Sequence, residues 1–375
     1  MKENTNTEKR PVLSELELPG DLRNLSLKQC EYLCNDIRNV LISTVSKTGG
    51  HLASNLGVVE LTMALHRNFS SPDDKIVWDV GHQSYTHKIL TGRLGQFSTL
   101  RQKDGISGFP KPEESPHDTF ISGHSSTSVS VACGIAEAMK LQGKDNYAVA
   151  VIGDGAMTGG MFYEAMNNVG KDSRSNLIVI LNDNKMSISK SVGAVSKYLT
   201  NLRNTEEYLY TKRAVEKGLG RIPIVGDGMS KGIKFVKDSV KSKILEQSNL
   251  FEDMGFEYLG PVNGHDLEEL DEIMRMAKSY HRPVIVHVKT VKGKGYIPAE
   301  NNPGEYHGIS KFDIVTGNPE VSANECYSTV FGRELVKIAE KDDRICAITA
   351  AMKFGTGLQF FHKRFPERFY DVGIA

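Results

Sequence analysis

The stretch VIGDGAMTGG, residues 151 to 160, sets an aspartate between two glycines where an apolar run stops. About thirty residues on, a second apolar run ends in Asn182-Asp183-Asn184. A carboxylate, an asparagine amide and a loop carbonyl are hard oxygen donors, the set that suits octahedral Mg²⁺, and Mg²⁺ usually keeps substrate phosphate oxygens in its shell. A helix starting at about Met157 would add free N–H groups and a favourable dipole. The aspartate then need not touch phosphate; it holds the cation that does. Two nucleotide alternatives fail: a dinucleotide fingerprint needs glycine where Thr158 stands, and a P-loop needs Gly-Lys-Ser/Thr after its first glycine. The sequence carries its own control in Gly226-Asp227-Gly228, which follows Pro223 in a short run with no Asn-x-Asn strand end after it, and reads as a turn.

Histidines are the next candidates for chemistry, because an imidazole with a pKa near 6.5 moves protons at neutral pH. Of eleven, four are singled out by their motifs, in which glycine or hydroxyl neighbours let the backbone approach a ligand. They are His51 after Gly50, His82 in Gly81-His82-Gln83, His124 in Gly123-His124-Ser125, and His307 in Tyr306-His307-Gly308. His66, His87, His117, His265, His281, His287 and His362 are expected to be structural.

The elements that must position these residues are legible as periodicities. Ser26 with Gln29 forms a capping box ahead of LKQCEYLCNDIRNVLISTVSK, where Leu33, Ile37, Val40 and Leu41 recur at helical spacing until Gly49-Gly50. The runs KIVWDV, YAVAVIGD, LIVILND and RPVIVHVKT lack strict alternation and are mostly separated by helix-length segments. Continuous apolar strands divided by helices mean an α/β fold, a parallel sheet covered on both faces, with ligands beyond the carboxyl ends of its strands. Residues 187 to 247 are polar and without strand signals, so a mobile insertion with a solvated helix around Ile233, Val236 and Val240 is expected there. After Gly317-Asn318-Pro319 a second α/β unit begins, with a helix from about Tyr327 to Lys341 and strands RICAIT and RFYDVG. The division expected is therefore 1–322 and 323–375.

The 375 residues carry 46 basic and 46 acidic side chains, which gives no basic field for nucleic acid or anionic membrane. No apolar signal region opens the chain and no run approaches the ~18 residues of a membrane span, so it reads as cytoplasmic. Cys30, Cys34, Cys133, Cys326 and Cys346 are scattered, without the spacing of a zinc site or a disulfide framework.

Gly153-Asp154-Gly155 followed by Asn184 resembles the thiamine diphosphate motif of transketolase-like enzymes. GHLASNLGVVELT, WDVGHQSYTHKILTGR, GFPKPEESPHDTF, SGHSSTSVS, GDGAMTGGMFYEAMNNVG and ILNDNKMSIS narrow the resemblance to the 1-deoxy-D-xylulose-5-phosphate synthase family. So do YLGPVNGHD, KGKGYIPAE, KFD, AITAAM and FYDVGIA, and together they cover most of residues 25 to 375. The resemblance implies Mg²⁺ on Asp154, the Asn184 side chain and the Met186 carbonyl, and diphosphate against Gly155 and Ala156. It implies cofactor contacts from His82, Gly123, His124, Ser125 and Tyr296, a basic group near the diphosphate in Lys292, and proton transfer by His51 and His307.

The reaction implied is condensation of pyruvate with D-glyceraldehyde 3-phosphate to 1-deoxy-D-xylulose 5-phosphate and CO₂, in a homodimer when full length, with isoprenoid, thiamine and pyridoxal synthesis downstream. Transketolase proper or a 2-oxo acid dehydrogenase subunit would share the metal motif, and a cofactor-binding fragment or half of a split enzyme is the non-catalytic alternative. In the family, FYDVGIA continues with Glu-Gln-His, whose glutamate bonds the aminopyrimidine. The sequence ends at Ala375, so the expectation is a truncated chain without synthase activity of its own and with a poorly folded region after about Ser322.

Overall fold

The computed structural model describes residues 10–169, 175–184, 194–204, 249–320 and 326–374. Met186, Gly226-Asp227-Gly228, the helix expected around Ile233 and most of the insertion expected at 187–247 lie outside them.

The N-terminal capping box forms as read. Ser26 Oγ accepts from Gln29 N–H at 3.2 Å and Gln29 Oε1 accepts from Ser26 N–H at 3.0 Å, opening helix α1, Leu27–Thr48. Gly49 stops the helix at φ +72°, the left-handed region open to glycine. Further helices are α2 Leu52–Leu56, α3 Val59–Asn68, α4 Tyr85–Lys88, α5 Ser128–Leu141, α6 Gly160–Val169, α7 Ala194–Asn204, α8 Leu250–Asp253, α9 Leu267–Ser279 and α10 Ile297–Asn301. Among the described residues none is long and apolar enough to cross a membrane.

Five strands, β1 Lys75–Trp78, β2 Ala148–Gly153, β3 Leu177–Asp183, β4 Glu257–Asn263 and β5 Val284–Lys289, make one sheet in the order β1-β2-β3-β5-β4, with every pairing parallel. Successive side chains point to opposite faces. Ala148, Ala150 and Ile152 of β2 pack with Val129 and Ala132 of α5 and Phe162 and Met166 of α6. Val149 and Val151 pack on the other side with Leu61 and Leu65 of α3 and Ile273 and Met274 of α9. Burial on both faces explains why these strands read as unbroken apolar runs. Outside α3 lies a third layer in which Leu33, Ile37 and Leu41 of α1 are fully buried, each contributing about 1.5–3 kcal/mol over an exposed position.

Strand β4 was not among the expected runs. Its Gly260-Pro261 interrupts the apolar pattern, and the pairing with β5 shifts register between Leu259 and Val262. Proline costs a ladder bond, which an edge strand tolerates. The helix expected from about Met157 begins at Gly160; a single 3-10 turn, Ala156–Thr158, precedes it. Gly159 is extended between them, which keeps the two turns apart, and a Cβ there would stand 2.2 Å from Ser126 Oγ, so the close approach of Ser126 needs glycine.

Residues 326–374 form helices α11 Tyr327–Ala339 and α12 Gln359–Arg364 and the parallel pair β6 Ala347–Thr349 and β7 Phe369–Asp371. Ala339, Ala347, Leu358, Phe361 and Phe365 make their small core, while Tyr327, Phe331, Phe354, Ile348 and Tyr370 are exposed.

Candidate active site at the strand ends

Asp154 follows the last residue of β2 and is 3% exposed. Its N–H donates to Asn182 O at 3.1 Å, so it stands beside the end of β3, where Asn184 follows Asp183. The end of β3 is itself fastened: Thr290 Oγ1 donates to Asn182 Oδ1 at 2.6 Å, and Thr290 N–H donates to Asp183 O at 3.0 Å. Asp183 is committed elsewhere, its Oδ2 2.9 Å from His287 Nε2, while His287 Nδ1 lies 2.6 Å from Tyr258 Oη. The three are buried. His287 Nε2 therefore carries the hydrogen to the carboxylate and Nδ1 accepts from the tyrosine. Of the two acids at these strand ends, Asp183 is bound into this buried chain, whereas the Asp154 carboxylate acts on the Lys292 charge.

Three of the four chosen histidines meet. Ring centroids lie 5.3 Å apart for His51 and His82, 5.5 Å for His51 and His307, and 5.0 Å for His82 and His307. The juxtaposition rests on a bridge in which Gly50 N–H donates to Ile309 O and Ile309 N–H to Gly50 O, both at 2.9 Å. Asn55, fully buried, ties the first two: its Nδ2 donates to His51 O at 2.6 Å and His82 O at 2.8 Å, and its Oδ1 accepts from Tyr85 N–H at 2.8 Å. His307 Nδ1 lies 3.3 Å from Ser54 Oγ, and Arg101 Nη1 lies 3.5 Å from His51 Nδ1. Arg101, Asn55, Tyr85 and Ser54 went unnoticed in the sequence. Only Asn55 carried a signal, an amide inside the apolar run HLASNLGVV.

Lys292, 6% exposed, sits on the turn after β5, and its charge is felt by all three rings. Burial, helped by Arg101 and Lys292, lowers the His51 pKa to about 4. Burial, with Lys292 and His51, lowers that of His307 to about 3, and burial with its neighbours pushes His82 well down. All three imidazoles are neutral at pH 7. Lys292 is lowered to about 8 by burial, against the pull of the Asp154 carboxylate. It remains a cation.

Asp79, at the end of β1, accepts from Ser126 N–H at 2.8 Å and Ser128 N–H at 3.0 Å. It thereby caps α5 and fixes the loop carrying Gly123, His124 and Ser125. The repeated pattern of apolar strand then aspartate, WD and GD, was its sequence signal. Gly123 and Gly153 have nothing within 4 Å of where a Cβ would be. Ala156 is buried next to Gly155, its carbonyl accepting from Ser126 Oγ. His124 is not brought to the ring cluster: it is exposed and its Nδ1 bonds Ser125 O at 2.8 Å. Tyr296, expected at a cofactor contact, lies beside the turn that carries Lys292. Its hydroxyl donates to Ile314 O at 2.9 Å and its ring packs on Tyr306 and Phe312, so it buttresses the turn from behind.

The donors suit a magnesium diphosphate. Asp154 and Asn184 are hard oxygen groups, Lys292 is a buried cation, open backbone flanks Asp154 at Gly153, and His82 Nδ1 is buried without a hydrogen-bond partner among the described residues. Among those residues no group of three or more His, Cys, Asp or Glu could hold a metal by itself.

Residues 13–290 match the family model described as 1-deoxy-D-xylulose-5-phosphate synthase. The chain is 55% identical over 366 residues to the 1-deoxy-D-xylulose-5-phosphate synthase of Natranaerobius thermophilus, covering 97% of this chain and 58% of that protein. It is 54% identical over 365 residues to that of Desulfitobacterium hafniense, with the same 97% and 58%. The chain thus spans little more than half the length of these relatives. Transketolase of Campylobacter jejuni superposes with a TM-score of 0.53 at 23% identity, over 76% of this chain and 41% of that one. Transketolase of Leishmania mexicana does so at 0.52 and 19%, over 90% and 48%. These share the fold.

Proposed function

The chain belongs to the 1-deoxy-D-xylulose-5-phosphate synthase family, and from that premise we propose that its strand-end site holds Mg²⁺ and thiamine diphosphate. The full-length protein would then condense pyruvate with D-glyceraldehyde 3-phosphate, releasing CO₂ and forming 1-deoxy-D-xylulose 5-phosphate, a precursor for isoprenoids, thiamine and pyridoxal. The observation that carries the reading is the convergence of three neutral histidines around a buried lysine that faces Asp154.

In this reading Asp154 and Asn184 hold the cation, with the Met186 carbonyl as a third donor. Gly155, Ala156 and Lys292 receive the diphosphate, with His82, Gly123, His124 and Ser125 around it. The cofactor supplies the electron sink that decarboxylation needs. The protein binds, orients and moves protons. Arg101 can only donate to His51 Nδ1, so the neutral ring carries its hydrogen on Nε2 and offers it there. His307, uncharged, keeps a ring nitrogen lone pair that can take part in proton transfer. For the full-length protein a homodimer in the cytoplasm is proposed; exposed Tyr327, Phe331, Phe354 and Tyr370 supply apolar surface for further contacts.

Calorimetric titration of thiamine diphosphate with Mg²⁺ tests the site. Asp154→Ala should abolish binding while Asp227→Ala, in the second Gly-Asp-Gly, leaves it unchanged. Equal behaviour of the two variants would sink the assignment. Pyruvate-dependent CO₂ release with an aldehyde acceptor separates the synthase from transketolase.

A further inference from the structure

Lys292 rides on an irregular turn, residues 290–296, so its placement depends on what holds the backbone on either side. Val291 N–H donates to His265 Nε2 at 2.8 Å. Gly293 N–H donates to Ala53 O at 2.8 Å, and Lys294 O accepts from Arg38 Nε at 3.2 Å. The turn also lies close against α2: a Cβ on Gly57 would stand 3.1 Å from Val291 O and 3.4 Å from the Lys292 Cα.

Two of these holders are themselves held by one carboxylate. Glu60 on α3 takes Arg38 of α1 on Oε1 and His265 Nδ1, 3.0 Å away, on Oε2. Glu60 and Arg38 are both 8% exposed. The backbone fixes the chemistry of the histidine: Val291 N–H can donate only to a ring nitrogen with a lone pair, so His265 Nε2 is bare and Nδ1 carries the hydrogen to Glu60. A carboxylate without a proton is the one side chain of this shape that accepts from a guanidinium and an imidazole N–H together. His265, expected to be merely structural, is the link between that carboxylate and the turn.

We propose that Glu60 is a positioning residue which, by fixing Arg38 and the tautomer of His265, clamps the turn on both sides of Lys292 and so sets where that cation meets a bound diphosphate. None of the three touches the histidine cluster in a described contact. The proposal rests on the reading of Lys292 as the diphosphate-facing cation, and its test separates the two.

In Glu60→Gln the amide keeps the shape but has one acceptor oxygen, so Arg38 or His265 loses its partner, and with NH₂ toward Nδ1 the ring must turn its second hydrogen onto Val291 N–H. Residue-resolved hydrogen exchange on the full chain without cofactor should show the Val291 amide exchanging at least tenfold faster, with β5 unchanged. Nitrogen NMR of labelled histidine should show the Nδ1–H form of His265 in the parent and its loss in the variant. Because Glu60→Gln leaves a buried guanidinium less compensated and can unfold the chain, a second pair decides independently. His265→Gln offers an amide oxygen to Val291 and should keep its protection; His265→Leu offers none and should lose it. Affinity for thiamine diphosphate with Mg²⁺ should weaken about tenfold in His265→Leu and recover in His265→Gln. Folded Glu60→Gln or His265→Leu protein with parental Val291 exchange would overturn the clamp. Failure of the parent to bind thiamine diphosphate would instead count against the reading of Lys292.

Discussion

The His307 ring lies 5.0 Å from that of His82, so on top of burial a proton on either ring opposes one on the other. The Lys292 cation opposes a proton on both. The cluster is built to stay neutral, and its cost should appear in acid.

For His51 the folded pKa is about 4, below its ordinary 6.5. Between those values the unfolded chain binds a proton the folded chain refuses, so stability falls as pH drops from 6.5 towards 4 and is unaffected above 6.5. Each unit is worth at most ~1.4 kcal/mol, and for a partly buried ring with some solvent screening about 1–2 kcal/mol over the whole window. Urea unfolding of His51→Asn against the parent should give a difference that shrinks or reverses by that amount between pH 7 and pH 4.5. A constant difference would mean the ring titrates normally.

Lys292→Met keeps the stem of the side chain and removes its charge. A charge-assisted bond to phosphate is worth ~1.5–3 kcal/mol, so affinity for thiamine diphosphate with Mg²⁺ should weaken roughly 10- to 100-fold by calorimetry. Parental affinity in the variant would place the lysine outside the site.

Glycines around the site should divide by what surrounds them. At Gly81 φ is +90° and a Cβ would come 2.6 Å from Pro110 Cδ, so Gly81→Ala should cost at least about 1–2 kcal/mol in thermal or urea unfolding. Gly123 has open space, so Gly123→Ala should unfold like the parent yet bind the cofactor more weakly. Equal stability losses would contradict the open backbone.

His287→Leu should be the more damaging change beneath the site, because it leaves the buried Asp183 carboxylate without the imidazole, a loss of about 3–5 kcal/mol. Tyr258→Phe removes one bond to the same ring and should cost about 1–2 kcal/mol. Chemical denaturation that ranks them the other way would undo the relay from Tyr258 through His287 to Asp183.

The sequence displayed the sheet where burial made strands monotonously apolar, and hid β4, where Gly260-Pro261 sits in an edge strand. It displayed His51, His82 and His307 through the glycines beside them, a mark that is local in the sequence. It hid what orients them. Asn55, Arg101, Asp79 and Glu60 work through partners distant in the chain, from Asn55 to His82 or Glu60 to His265, and such pairs have no period or spacing. Nor did KGKGY show that the Tyr296 ring packs with Tyr306 and Phe312, another set of contacts without a spacing.

The bridge between Gly50 and Ile309 sets a timetable for synthesis. His51 leaves the ribosome early and cannot meet His307 until some 250 further residues have been added, roughly 13–50 s at 5–20 residues per second. Closing so long a loop comes late in folding. His51 and His82, both tied to Asn55, can meet early, and His307 completes the cluster only after every strand of the sheet has been made.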